Sequence, residues 1–378
     1  MLKKILKVLG GLVVLLIVSA IAIYVATGPQ RPGRSSSSAS WLQAGPYRVS
    51  SAEFTFVDAS RATSENRGVP GKPDRTFPTT VWYPEAYDQA MPLIIHSHGI
   101  VSYRSEVPYV MEALASRGYI VAAADYPLTS RTTPGGANGN DVVNQPADVA
   151  FLIDSLLALE DSARPFAGSI DETRIGLSGY SLGGLTTYLA TYLPQWRDER
   201  IAAAVAIAGP SAAFTPAFFG STSIPFLAIS GTADALIEHR RNAADISSRN
   251  PNASLVTIDG GSHLGFVGLS EPTFRFMDNP DTIGCQAVMA VLGENPNDVF
   301  VTMSAGSPVI DMNRDVPGIC DYGYGETTHP GRQQMITQLA VTSFFESVFS
   351  QDNERRESAR QQLNTALARD FEEASFSP

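Results

Sequence analysis

The chain has 378 residues, of which 44% are hydrophobic, 9% aromatic and 17% charged. That is enough apolar material to bury one large core or two modest ones, and too much for a disordered chain. Lys and Arg total 27 against 38 Asp and Glu, a formal charge of −11, which argues against nucleic acid as a partner because no basic surface awaits a phosphate backbone.

Lys3, Lys4 and Lys7 precede an uncharged apolar run from Val8 to Thr27. A helix rising about 1.5 Å per residue over that length crosses the roughly 30 Å hydrocarbon core of a bilayer. Lysines on its N-terminal side favour keeping that end in the cytoplasm. Residues 1–27 are therefore expected to form a membrane anchor with the rest of the chain periplasmic or extracellular. A cleaved signal segment is the alternative, although its apolar stretch usually spans only about 7–15 residues. Residues 28–40, GPQRPGRSSSSAS, have no apolar period and read as a flexible linker.

From Trp41 short apolar runs alternate with helical patterns in a domain expected over 41–350. The expected strands are Glu53–Val57, Thr79–Tyr83, Leu93–Ser97, Tyr119–Ala124, Arg174–Ser178, Ala202–Ala208, Pro225–Ser230 and Leu255–Ile258. Several are continuously apolar, as parallel strands covered on both faces must be. Helical spacing joins Val110 to Leu114 before Gly118, Val149 through Leu152 and Leu156 to Leu159, and Leu185 through Tyr188 and Leu189 to Tyr192. This alternation predicts an α/β fold with a mostly parallel, doubly wound sheet. Residues 265–330, rich in Gly, Pro, Asp and Asn, break it and read as an insertion. A closing helix follows through Met335, Ile336, Leu339, Phe344, Phe345 and Val348. Residues 351–378 read as a polar tail with an exposed helix over Gln351 to Arg369.

The sharpest motif is Gly179-Tyr180-Ser181-Leu182-Gly183, between an expected strand and an expected helix. A nucleophile elbow needs small residues two before and two after its serine, because the tight turn presses those positions against backbone. Ser181 at a helix start would also meet unpaired N–H groups. A glycine turn with a capping serine is the plainer alternative.

A serine hydroxyl needs a base. Of the five histidines, His263 stands in a glycine-rich loop just after an expected strand, on the same sheet edge as Ser181. His96 falls within a strand, His239 follows a charged helical stretch and reads as solvated, and His329 lies in the insertion. Asp234, after the Pro225–Ser230 strand, completes the order Ser, Asp, His. Asp259 is better placed to brace the turn, and Asp125 reads as structural. The oxyanion of an acyl-transfer reaction needs two donors. They are expected from the backbone N–H groups of Leu182, after the nucleophile, and Ile100, in His98-Gly99-Ile100.

Cys285 and Cys320 are the two cysteines. In an exported protein such a pair reads as a disulfide, with two buried free thiols as the alternative. Closing that loop stabilises by about 3–4 kcal/mol in the chain-entropy picture.

At these residues the sequence resembles the α/β-hydrolase superfamily, and within it the branch of platelet-activating factor acetylhydrolases, dienelactone-hydrolase-like proteins and bacterial polyester hydrolases. The resemblance rests on Val81-Trp-Tyr-Pro84, His96-Ser-His-Gly99, Ala115-Ser-Arg-Gly-Tyr119, the elbow at Ser181, the run Ile224 to Asp234 and Gly260-Gly-Ser-His263. It covers about residues 50–265 and the closing helix. It implies carboxylic ester hydrolysis through an acyl-enzyme, without metal or cofactor, on a small-molecule or lipid-like ester. Dienelactone hydrolases carry a cysteine where this chain has Ser181, polyester hydrolases an aromatic residue where it has Ile100, and the small cutinase-type enzymes lack the 265–330 insertion. The expected function is an exported, membrane-tethered serine esterase whose insertion shapes or lids the acyl pocket. An acyltransferase or peptidase using the same triad, and an inactive binding protein of the same fold, are the alternatives.

Overall fold

The computed structural model describes residues 2–378 except 88, 160–165, 167, 293–299, 302 and 304–306. Part of the expected 265–330 insertion thus lies outside the described residues. The chain divides into two units, Met1–Arg31 and Pro32–Pro378. The first carries the helix Leu2–Ala26, whose stretch Leu9–Ala26 is long and apolar enough to cross a membrane by length and composition.

In the second unit, nine strands among the described residues form one sheet. They are β1 (Val49–Asp58), β2 (Arg75–Pro84), β3 (Met91–Ser97), β4 (Ile120–Ala124), β5 (Ile170–Tyr180), β6 (Ile201–Ile207), β7 (Phe226–Gly231), β8 (Ala253–Ile258) and β9 (Ala374–Ser377), in the spatial order β1-β2-β4-β3-β5-β6-β7-β8-β9. The pairings from β4 through β3 and β5 to β8 are parallel; β1 with β2, β2 with β4, and β8 with β9 are antiparallel. All eight expected strands are present, with ends that differ by a few residues.

Side chains alternate across a strand, so a strand buried on both faces must be apolar throughout. Leu93, Ile95, Ala204 and Ala206 face one core with Leu152 and Leu156 of the helix Gln145–Leu157 and Leu185 and Leu189 of the helix Leu182–Tyr192. Ile94, Val205 and Ile207 face the other with Val110 and Leu114 of the helix Pro108–Ala115 and Ile336, Leu339 and Phe345 of the helix Pro330–Phe349. One buried charge cluster interrupts the apolar interior. Arg75 donates from Nε to Asp148 at 2.8 Å and from a terminal nitrogen to Asp141 at 2.8 Å. Burial opposes and the guanidinium favours ionisation of Asp148, whose pKa is pushed up to about 6.

Two expectations need correction. The C-terminal segment is not an exposed helix. It forms the helix Asn353–Gln361, a π-helical segment Gln362–Ala366 and a last turn Leu367–Asp370, with Ala359, Leu363 and Leu367 buried. The chain then adds β9 along β8, pairing Phe376 with Val256 and Ala374 with Ile258. The flexible linker also ends earlier than Ser40. Ser36 caps the helix Ser37–Trp41. Ser38 is buried, its hydroxyl accepting from Gln362 Nε2 at 2.8 Å and its N–H donating to Asp370 at 3.1 Å, while Ser37 donates to Gln362 at 2.7 Å. Partners from the far end of the chain offset the ordering entropy that composition alone leaves unmatched.

Candidate active site

Strand β5 ends at Tyr180 and the helix Leu182–Tyr192 begins two residues later, so Ser181 is the whole turn. Its φ of 54° and ψ of −117° are an uncommon backbone state for a residue with a side chain. The flanking glycines make the turn possible. A Cβ on Gly183 would stand 1.8 Å from the carbonyl oxygen of Ser97, and one on Gly179 would stand 2.0 Å from that of Gly183.

Three loops at the C-terminal ends of parallel strands converge there. His263, after β8, has Nε2 2.8 Å from Ser181 Oγ and Nδ1 2.8 Å from Asp234 Oδ2. The carboxylate fixes the tautomer: Nδ1–H donates to Asp234, and Nε2 is left to accept from the serine hydroxyl. Asp234, after β7, is in turn held by the N–H groups of Leu236 at 2.9 Å and Ile237 at 2.7 Å, which donate to Oδ1. Ser181, Asp234 and His263 are only 8%, 4% and 2% exposed. Burial disfavours the imidazolium, but the charge of Asp234 and its hydrogen bond outweigh it, and the His263 pKa stands above the ordinary 6.5. Such a base can take the serine proton and hold it beside an anion.

The two amides expected to bind an oxyanion are poised differently from their neighbours. Ser181 N–H is spent on Ile207, donating at 2.9 Å. Among the described residues, neither the Leu182 nor the Ile100 N–H has an acceptor, which leaves both to a ligand. The loop bearing Ile100 is held from behind by Glu106, which the sequence did not single out, and by His98. Glu106, fully buried, accepts the Gly99 N–H at 3.1 Å and the His96 ring at 3.2 Å. His98 donates from Nδ1 to Gly99 O at 2.7 Å and accepts the Tyr126 N–H on Nε2 at 3.1 Å, and burial keeps its pKa low.

A further acidic residue lies behind the histidine. Asp281, at the start of the helix Asp281–Leu292, is fully buried and accepts the N–H groups of His263 at 2.8 Å, Leu264 at 2.8 Å and Ala235 at 3.0 Å. It therefore binds the loop of His263 to the loop of Asp234. Its own burial and the nearby Asp234 carboxylate push its pKa up to about 6. Gln333 of the closing helix grips the same loop, accepting from Ser262 N–H at 3.1 Å and donating to its carbonyl at 2.7 Å. Neither residue carries a motif that would mark it.

The remaining candidates fall elsewhere. Asp259 accepts from the Thr232 hydroxyl at 2.8 Å and braces its turn, and Asp125 pairs with Arg104. His96 is buried beside Ser178, its Nδ1 3.1 Å from that hydroxyl. His239 is not solvated as its charged neighbours suggested: it is half-buried, with Nδ1 3.1 Å from Ser230. His329 caps the closing helix, its Nδ1 accepting the Gly331 N–H at 3.0 Å. Cys285 and Cys320 are joined as a disulfide that ties the helix Asp281–Leu292 to the later part of the insertion.

A family model described as PET hydrolase-like matches residues 55–271, more than half of the chain. The chain belongs to the PET hydrolase-like family. That places it in the α/β-hydrolase superfamily, as the doubly wound sheet and the turn at Ser181 imply. Ser181, Asp234 and His263 all lie within the matched residues, whereas Asp281, the disulfide and the closing helix lie beyond them. Among solved structures the fold is similar to that of a ferulic acid esterase from Streptomyces cinnamoneus, with 19% identity and a TM-score of 0.53, covering 83% of this chain and 96% of that one. No curated protein sequence matches this chain.

Proposed function

We propose that this member of the PET hydrolase-like family is a serine carboxylic ester hydrolase acting through Ser181, His263 and Asp234. The observation that carries the proposal is the unbroken relay of 2.8 Å contacts from Ser181 Oγ through His263 to Asp234. His263 Nε2 accepts the serine proton as Oγ bonds to the ester carbonyl carbon. The developing oxyanion is met by the Leu182 and Ile100 N–H groups, and His263 returns the proton to the departing alkoxide. Water, deprotonated by the same imidazole, then releases the acid and frees the serine.

The apolar stretch Leu9–Ala26 and the disulfide Cys285–Cys320 support an exported domain tethered to a membrane by its N-terminal helix. Full-length protein in a non-ionic detergent, treated with a fluorophosphonate and a series of p-nitrophenyl esters, tests the chemistry. Labelling and turnover are expected, and both are lost in Ser181→Ala. A folded wild-type chain that neither labels nor turns over would overturn the proposal.

A further inference from the structure

Two clefts meet at Ser181. The first lies between Leu182, Leu185 and Ala213 of the hydrolase core and Phe300, Val316 and Ile319 of the insertion. The second is walled by Val267, Phe274, Ile283, Ala287 and His263. Ile100, Ser181, Leu236 and Val288 border both.

The helix Asp281–Leu292 runs between the two. At 3.6 residues per turn, Ile283 and Ala287 share one face and Val288 and Leu292 the next. The first pair lines the cleft that contains His263, the second pair lines the other, and Val288 sits at the boundary. The Cys285–Cys320 disulfide fastens the middle of this helix, and the three hydrogen bonds to Asp281 fasten its start.

Resting on the serine-esterase reading above, we infer that the helix Asp281–Leu292 is a partition that sorts the two arms of the substrate, an uncharged ester with an apolar group on each side of the carbonyl. The direction of sorting follows from the chemistry. When the carbonyl carbon bonds to Ser181 Oγ, the bond to the alcohol oxygen breaks, and that oxygen takes its proton from His263 Nε2. The leaving oxygen must therefore lie within hydrogen-bond reach of His263. The alcohol arm accordingly occupies the cleft that His263 lines, and the acyl arm occupies the cleft of Phe300, Val316 and Ile319. The uncharged character follows from the walls. Among the described residues that line them there is no carboxylate, ammonium or guanidinium, so a charged arm would be desolvated without a partner.

Two substitutions at accessible positions separate the arms. Val316 is half-buried at the edge of the core and Ala287 exposed, so a tryptophan at either is placed to fill a cleft. With full-length protein in detergent, kcat/KM is measured for ethyl esters from acetate to decanoate, and for acetates of ethanol to octanol. In Val316→Trp the decanoate-to-acetate ratio is expected to fall about tenfold or more while the octyl-to-ethyl ratio holds within about twofold, and Ala287→Trp is expected to do the converse. The partition is overturned if both variants move the same ratio, if the two effects are exchanged, or if neither ratio moves. Fluorophosphonate labelling of the wild type keeps that failure distinct: a labelled, active enzyme with coupled ratios sinks the partition alone, and an unlabelled, inactive one sinks the esterase reading and the partition with it.

Discussion

The backbone N–H of His263 donates to the carboxylate of Asp281 at 2.8 Å, so the histidine is held by one acid through its ring and by another through its main chain. The second acid arrives on the insertion, outside the residues matched by the family model.

Removing it should loosen the site before it unfolds the domain. Asp281→Ala leaves three N–H groups without their acceptor, those of Ala235 and His263 buried and that of Leu264 partly so, at about 1–3 kcal/mol for each one that water cannot reach. We expect kcat to fall by a larger factor than KM rises, because the affected loops carry His263 and Asp234 as well as part of the cleft walls. Thermal melting together with separate kcat and KM values checks this; a proportional rise in KM alone would contradict it.

Asp281 also gives stability a particular pH dependence. Its pKa rises from 3.8 to about 6 on folding, so between these values the native state holds a proton that the unfolded chain has released. Stability from this group is full below pH 3.8, declines as pH rises to 6 and is flat above. Denaturant titrations of wild type and Asp281→Ala across that window should differ in slope, with the wild type showing the steeper decline.

His263 sets the opposite limb of activity. In the proposed mechanism its neutral form accepts the serine proton, and its pKa lies above 6.5, so kcat/KM should fall on the acid side with a midpoint above 6.5. In Asp234→Asn burial is opposed only by the lesser charges of Asp281 and Glu106, so the midpoint should move down and kcat should fall by about 10⁴-fold. A profile with an unmoved midpoint would mean that another group titrates.

The turn at Ser181 tolerates no side chain two residues on. Gly183→Ala places a methyl 1.8 Å from Ser97 O, which backbone must yield to at about 1–3 kcal/mol, and the shift is passed to the strand preceding the Ile100 loop. Loss of both melting temperature and fluorophosphonate labelling is expected.

Far from the site, Arg75→Met should destabilise by about 3–5 kcal/mol, because it leaves Asp141 buried without a cation and Asp148 with Arg61 alone. Activity per folded molecule should be unchanged, which distinguishes this cluster from Asp281.

The eight strands β1 to β8 were legible because their burial on one or two faces dictates an apolar period that local sequence displays. Ser181, Asp234 and His263 were legible as a set because each follows a strand in a fixed order along the chain, and the structure brings them within hydrogen-bond reach. Asp281 and Glu106 were not, since a buried acceptor of backbone N–H groups has no sequence signature and is one acid among 38. Strand β9 was missed because four residues with apolar side chains only at Ala374 and Phe376 carry little period of their own; β8 supplies their pairing. Ser38 was misread for the same reason, its partner Gln362 being 324 positions away.

That last contact makes the two ends of the second unit depend on each other, since Ser37 and Ser38 are fastened to Gln362 and Asp370. Removing either segment should leave polar groups of the other without partners, so truncation at one end is expected to fray both.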